Sequence, residues 1–98
     1  MREKVALRET FRTPYFLLKT SSSESGHNRF GIIVSNAAVK KSVRRHLWKR
    51  RFAHHIRLWP NIRKDILVIV SPNIENVSTK DLKKELDKML QKLLITNF

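Results

Sequence analysis

The 98-residue chain carries 21 Lys and Arg against 8 Asp and Glu, a formal charge of +13, with 41% hydrophobic residues, 2 Gly, 3 Pro and no Cys. That is enough for one domain, residues 1–98, with one modest core, and the lack of cysteine excludes a disulfide framework, a thiolate zinc site and a cysteine nucleophile. The longest unbroken apolar run, Ile66 to Val70, is far short of the roughly 20 residues that cross a bilayer, and Met1-Arg2-Glu3-Lys4 opens no signal peptide, so a soluble, unprocessed, cytosolic chain is expected.

Met1 to Thr10 is too short and mixed to assign. Tyr15-Phe16-Leu17-Leu18, behind Pro14, reads as a strand running to Thr20. The polar run Ser21 to Asn28, which holds Gly26, reads as a loop that closes a hairpin with the next strand. That strand, Arg29-Phe30-Gly31-Ile32-Ile33-Val34-Ser35, is β-branched and apolar, which predicts a place in the middle of a sheet. From Val39 to Trp59 the period is helical: Trp48, Phe52, Ile56 and Trp59 fall within an arc of about 80°, a core stripe, and Pro60 stops the helix. Lys40, Arg44, Leu47, Arg50, Arg51, His54 and Arg57 lie mainly on the opposite side. Arg45 projects along the apolar arc one turn before Trp48, so its stem should pack at the helix edge while its guanidinium reaches out. Ile66 to Val70 is a strand apolar on both faces, ending at Ser71-Pro72. Ser78-Thr79-Lys80-Asp81 resembles a capping box, and Leu82, Leu86, Met89, Leu90 and Leu93, with Phe98 as a further candidate, repeat at helical spacing behind it. The passage from strand to helix to strand predicts that Phe30–Ser35 and Ile66–Val70 run parallel in one sheet of a small α+β sandwich.

The charge is concentrated. Between Glu24 and Asp65 there is no acidic residue, yet that stretch holds Arg29, Lys40, Lys41, Arg44, Arg45, Lys49, Arg50, Arg51, Arg57, Arg63, Lys64 and all four histidines. Like charges this dense repel one another, and a polyanion bound to them removes the repulsion, so nucleic acid is the first candidate partner. A solvated face ordinarily mixes signs, as Lys80-Asp81-Leu82-Lys83-Lys84-Glu85 does. Catalysis by the chain itself is not expected. His54 and His55, adjacent on a helix, diverge by about 100°, and His46 and His54 stand two turns, roughly 12 Å, apart. The stretch from Ser25 to Lys64 offers a metal no carboxylate, and both glycines are isolated, so no phosphate-cradling loop is present. Histidines among arginines should titrate below their free value.

The strand Arg29 to Ser35 followed by Lys40-Lys41-Ser42-Val43-Arg44-Arg45-His46-Leu47-Trp48-Lys49-Arg50-Arg51 resembles the protein subunit of bacterial ribonuclease P. Val34-Ser35 match the family's V-S, Arg45 matches the first arginine of its basic helix motif, and Lys49-Arg50 match the closing basic pair. Asp65 to Pro72 and Val77 to Leu82 resemble the family's later strand end and last-helix start, and Thr13-Pro14-Tyr15-Phe16 is similar to its second strand. The resemblance covers about 85 of the 98 residues in order and spacing. His46 stands where Asn is usual, Leu47 where the second motif arginine belongs, and Asn36-Ala37 replace a basic pair. The family's first helix, with its cleft-lining aromatics, is expected to be largely missing before Thr10, which marks a divergent, N-terminally short member.

The resemblance implies a two-layer sandwich of a mixed sheet and helices, akin to the second domain of ribosomal protein S5, in which the basic helix crosses between two parallel strands in the uncommon left-handed sense. It also implies a role as the protein subunit of a tRNA-processing endonuclease whose catalytic groups and Mg²⁺ belong to the RNA partner. The expected partners are ribonuclease P RNA and precursor tRNA, in the bacterial cytoplasm, with no membrane and no obligate protein partner. The RNA contacts expected are Lys40, Lys41, Arg44, Arg45, His46, Lys49, Arg50 and Arg51. Tyr15 and Phe16 are the candidates to stack on the 5′ leader, one of the two pointing away from the helices. The rival expectation is a small rRNA-binding ribosomal protein, which shares the size, charge and build.

Overall fold

The computed structural model describes residues 9–96, with Thr96 described in its backbone only. The elements follow one another as β1 (Glu9–Arg12), β2 (Phe16–Ser22), β3 (Arg29–Ile33), α1 (Ser42–Arg57), β4 (Lys64–Val70), a 3₁₀ turn (Pro72–Asn76) and α2 (Thr79–Thr96). The expectation for Phe98 lies outside the described residues.

The four strands form one sheet in the order β1-β2-β4-β3. β1 and β2 make an antiparallel hairpin that begins in the segment left unassigned above. Its turn is held by Thr13, whose Oγ1 accepts the Tyr15 and Phe16 amides at 3.1 and 3.0 Å. β4 runs antiparallel to β2 and, as expected, parallel to β3, with Phe30 beside Ile66 and Ile32 beside Val68. Two expectations are corrected here. The Ser21 to Asn28 segment reverses the chain, but the strands it joins do not pair, because β4 is inserted between them. And β3 is an edge strand, while β4 takes an inner place.

The reason lies in tethers that no periodicity reports. The loop crosses the start of β4, where Asn28 Oδ1 accepts the Ile62 and Lys64 amides at 3.0 and 3.3 Å and its Nδ2 donates to Pro60 O at 2.8 Å. Asn61 Nδ2 reaches back to Gly26 O at 3.0 Å. Gly26, at φ +80, supplies the left-handed turn that a side chain would strain.

Alternation divides the sheet into two faces. The inner face of β2 and β4, with Phe16, Leu18 and Thr20 against Ile66, Val68 and Val70, is buried throughout. Both helices cover it. α1 contributes Trp48, Phe52 and Ile56, while α2 contributes Leu82, Leu86, Met89 and Leu93, all in one cluster, with Leu90 packed at its margin. Trp59 joins that cluster beyond the end of α1, so both tryptophans are core residues as the spacing predicts. β4 is accordingly buried on one face and half-buried on the other.

α1 starts at Ser42, three residues later than the apolar pattern suggests. Val39, 2% exposed, drops into the core ahead of the helix. The turn that puts it there is closed by the Ala38 and Val39 amides donating to Ser35 O at 3.1 and 3.0 Å. At the other end the helix stops at Arg57, before Pro60 is reached, as the Leu58 and Trp59 amides close a final turn on His55 and Ile56. α2 begins where the capping pattern predicts, with Ser78 Oγ accepting the Asp81 amide at 3.0 Å.

Candidate nucleic-acid interface

The side of α1 turned away from the core carries the cations. Lys49 and Arg50 are exposed, as are His46, His54 and Arg57 along the same helix and Lys40 and Lys41 just before it. The first turn holds no acidic residue, and the N-cap, Lys41, makes no side-chain capping bond. A helix N-terminus already carries partial positive charge, so these lysines deepen a positive field instead of relieving it. Exposed Val43 and half-buried Leu47 interrupt the face.

Three of the expected contacts are held by neighbours. Arg45 does not reach into solvent as expected: its Nη1 donates to Asn36 Oδ1, Val39 O and Lys40 O at 3.1, 3.0 and 2.7 Å. These acceptors lie in the turn preceding α1, so Arg45 clamps the segment that presents Lys40 and Lys41. Arg51 places its guanidinium 4.7 Å from the Trp48 ring centroid, a cation–π contact. Arg44 lies 5.9 Å from the same ring and pairs with Glu75, Nη2 to Oε1 at 2.6 Å. Glu75 also accepts the Trp48 indole N–H at 3.0 Å. The hydrogen bond from Arg44, and next the one from Trp48, hold the Glu75 carboxyl below the usual carboxylate range. Glu75 was missed by sequence reasoning because it lies 27 residues beyond Trp48, outside the acid-free stretch.

The histidines are closer together than helical divergence predicts, with the His54 and His55 rings edge to face at 5.4 Å. Burial first, and then the neighbouring His54, pushes His55 below its ordinary value. No group of three His, Asp or Glu converges among the described residues.

The leader candidates divide. Phe16 is 1% exposed and sits edge to face with Phe52 at 5.2 Å, so it is a core residue and cannot stack on a nucleotide. Its pairing with Val70 puts it on the helix side of the sheet. Tyr15, one residue before β2, is half-buried against the core margin. The opposite face of the sheet bears a shallow concavity whose lining includes Thr10, Lys19, Ser21, Arg29, Gly31 and Leu67. Arg29 there forks onto Asp65 across the β3–β4 pair, Nε and Nη2 at 3.0 and 2.9 Å from the two carboxylate oxygens. This surface draws residues from four strands, so no single run of sequence announces it.

The chain is similar to known proteins throughout this architecture. Residues 3–94 match the family model described as Ribonuclease P. The ribonuclease P protein component of Pseudoalteromonas translucida is 32% identical over 83 residues, 83% of this chain and 59% of that protein, so the chain spans little more than half that relative's length. The corresponding protein of Vibrio parahaemolyticus is 28% identical over 85 residues, 83% of this chain and 70% of its own. In three dimensions the RNase P protein from Thermotoga maritima superposes with a TM-score of 0.73 at 24% identity, covering 87% of this chain and 83% of that one, which is a likeness of fold. With the family model matched over residues 3–94 and a relative 32% identical over 83% of the chain, the chain belongs to the Ribonuclease P family.

Proposed function

We propose that this chain is the protein subunit of a bacterial ribonuclease P: it binds the large catalytic RNA and the 5′ leader of precursor tRNA and supports 5′ maturation of tRNA in the cytoplasm. The observation that carries the reading is the one-sign outer face of α1, mounted on a rigid aromatic core in a member of this family. Lys40, Lys41, Lys49 and Arg50 neutralise phosphates directly, and His46 contacts the same backbone. Arg45 holds the turn that bears the two lysines. Charge of this kind supplies affinity and screening without sequence choice. With roughly six to eight phosphates neutralised by the helix and its flanks together, affinity falls about a thousandfold or more between 50 and 200 mM salt.

The hydrolytic groups and Mg²⁺ are assigned to the RNA. A hard divalent cation needs oxygen ligands, whereas this face offers guanidinium, ammonium and imidazole, and its neighbouring carboxylate, Glu75, is taken by Arg44 and Trp48. The leader is assigned to the uncovered sheet face, with Tyr15 as the remaining aromatic candidate. No obligate protein partner is required. The relatives and solved structures described above favour this reading over the rival one, a ribosomal rRNA-binding protein.

The test is cleavage of precursor tRNA by the cognate ribonuclease P RNA at low Mg²⁺, with and without the protein. A protein-dependent rise in correct 5′ processing is expected. No stimulation of an RNA that is itself active at high Mg²⁺ overturns the reading, and stoichiometric co-sedimentation with ribosomes would then favour the rRNA-binding alternative.

A further inference from the structure

Glu75 is an anomaly on a surface built to attract an anion. Among the described residues, its pair with Arg44 is the one ion pair that α1 makes. A carboxylate here removes one positive charge and repels phosphate, so on charge alone it weakens RNA binding. Its surroundings indicate a different role. The 3₁₀ turn that carries it is pinned at both sides: Ile74 is fully buried, and Asn73 Nδ2 donates to Pro14 O at 3.2 Å. The carboxylate is then aimed by the Trp48 indole, itself 1% exposed. Arg44 meets this fixed acceptor side-on, Nη2 on Oε1 at 2.6 Å and Nε near Oε2 at 3.5 Å. That geometry uses the Nε–Nη2 edge of the guanidinium and leaves the Nη1 hydrogens without a partner among the described residues. Arg51 packs on the same indole, 4.7 Å from its ring centroid.

We propose that Glu75 is a positioning residue for RNA binding: with Trp48 it fixes Arg44, so that this arginine meets the RNA backbone already ordered. A free arginine gives up rotamer freedom when it grips a phosphate; one already held gives up less. The carboxylate thus offsets its own repulsion by ordering the cation next to it. This rests on the RNA-binding reading above and names the contact that reading needs at Arg44.

The test is Glu75→Gln, read as the affinity of the full chain for the ribonuclease P RNA of Vibrio parahaemolyticus across a salt series. Glutamine keeps an oxygen for the Trp48 indole but cannot hold Arg44 by charge. Positioning predicts that affinity falls about five- to tenfold although the protein has become more positive, and that the salt slope drops by about one as the Arg44 contact is lost. Tighter or unchanged binding, with an equal or steeper slope, overturns the proposal. Arg44→Gln and the double variant complete a cycle: the double variant should bind no more weakly than Arg44→Gln alone, and fully additive losses overturn action through Arg44. Should Glu75→Gln fail to fold, Arg44→Lys keeps the charge but cannot pair side-on, and binding equal to wild type would overturn the proposal. Failure of the wild-type protein to bind this RNA or the cognate RNA would instead overturn the functional reading on which the proposal rests.

Discussion

α1 and α2 lie on the same sheet face and bury their inner sides in the same cluster, yet their outer sides are built on opposite rules. α2 mixes signs, pairs Lys83 with Asp87 one turn on at 3.0 Å, and starts from a serine cap. α1 carries Arg44, Arg45, Lys49, Arg50, Arg51 and Arg57 without an acid, starts from an uncapped lysine, and, among the described residues, makes its one ion pair with a carboxylate from the turn after β4. The difference teaches what each outer face is for. α2 is finished as a helix in water, whereas α1 leaves self-repulsion and an open N-terminus unrelieved, a cost that a bound polyanion removes.

The largest effect tests what the two helices share. Phe52→Ala should cost about 3–5 kcal/mol, because a fully buried ring in contact with Phe16 leaves a cavity that the sheet cannot collapse into. Leu86→Ala on α2 should cost a comparable 2–5 kcal/mol. Denaturant titration measures both, and a loss below about 1 kcal/mol would show that α1 is not seated by its aromatic stripe.

The outer faces are contrasted next. Lys49→Ala with Arg50→Ala should weaken binding to ribonuclease P RNA at least tenfold and lower the salt slope by about two, with stability changed by less than about 1 kcal/mol in total. Lys84→Ala with Lys88→Ala removes the same formal charge from α2 and should change affinity by no more than about twofold. Equal losses in the two pairs would reduce the comparison to net charge.

Capping gives a smaller and opposed pair of effects. Ser78→Ala should destabilise by about 1 kcal/mol, read as a lower Tm. Lys41→Asp should raise Tm by a similar amount through a new cap and a better match to the helix dipole, while weakening RNA binding. A gain in both properties would contradict the idea that α1 gives up stability for binding.

The smallest effect is acid dependence at moderate salt. Glu75 and Asp65 titrate below the usual carboxylate range, chiefly through hydrogen bonds from Arg44 and Arg29. Because the unfolded chain binds their protons first, their contributions are complete above the ordinary carboxylate range and fade as pH falls through the lowered folded values. His55, pushed down chiefly by burial, adds a shallower loss as pH falls below its ordinary value of 6.5, where the unfolded state protonates first. Tm measured from pH 8 to pH 3 should therefore decline in two steps, and Glu75→Gln should reduce only the lower one.

Periodicity carried most of the secondary structure, since burial at period 3.6 or 2 is local information. The stripe of Trp48, Phe52 and Ile56, the α2 stripe and the parallel pairing of β3 with β4 were all legible. The acid-free run also marked the basic face before any coordinate did, because a helix turns alternating stretches of sequence into sides. What stayed illegible was neighbourhood. β1 is four residues of mixed composition and exists because β2 offers it an edge. β3 is apolar enough for the middle of a sheet, yet lies outside β4. Phe16 and Tyr15 looked equivalent, and only the register against Val70 assigned Phe16 to the core.

The sequence by itself determined a basic α+β build, an acid-free cationic helix and, through the resemblance its ordered motifs carry, the family. The first two follow from composition and spacing along the chain, and the family from the likeness of its motifs to known ones. The tertiary structure decided which cations are free and which are held. Arg44 depends on a carboxylate 31 residues away, Arg45 on carbonyls in the turn before its own helix, and Arg51 on an indole whose position the core sets. A side chain's charge is written in the sequence, but its partners are set by the packing of elements distant along the chain, and those partners decide what the charge can bind.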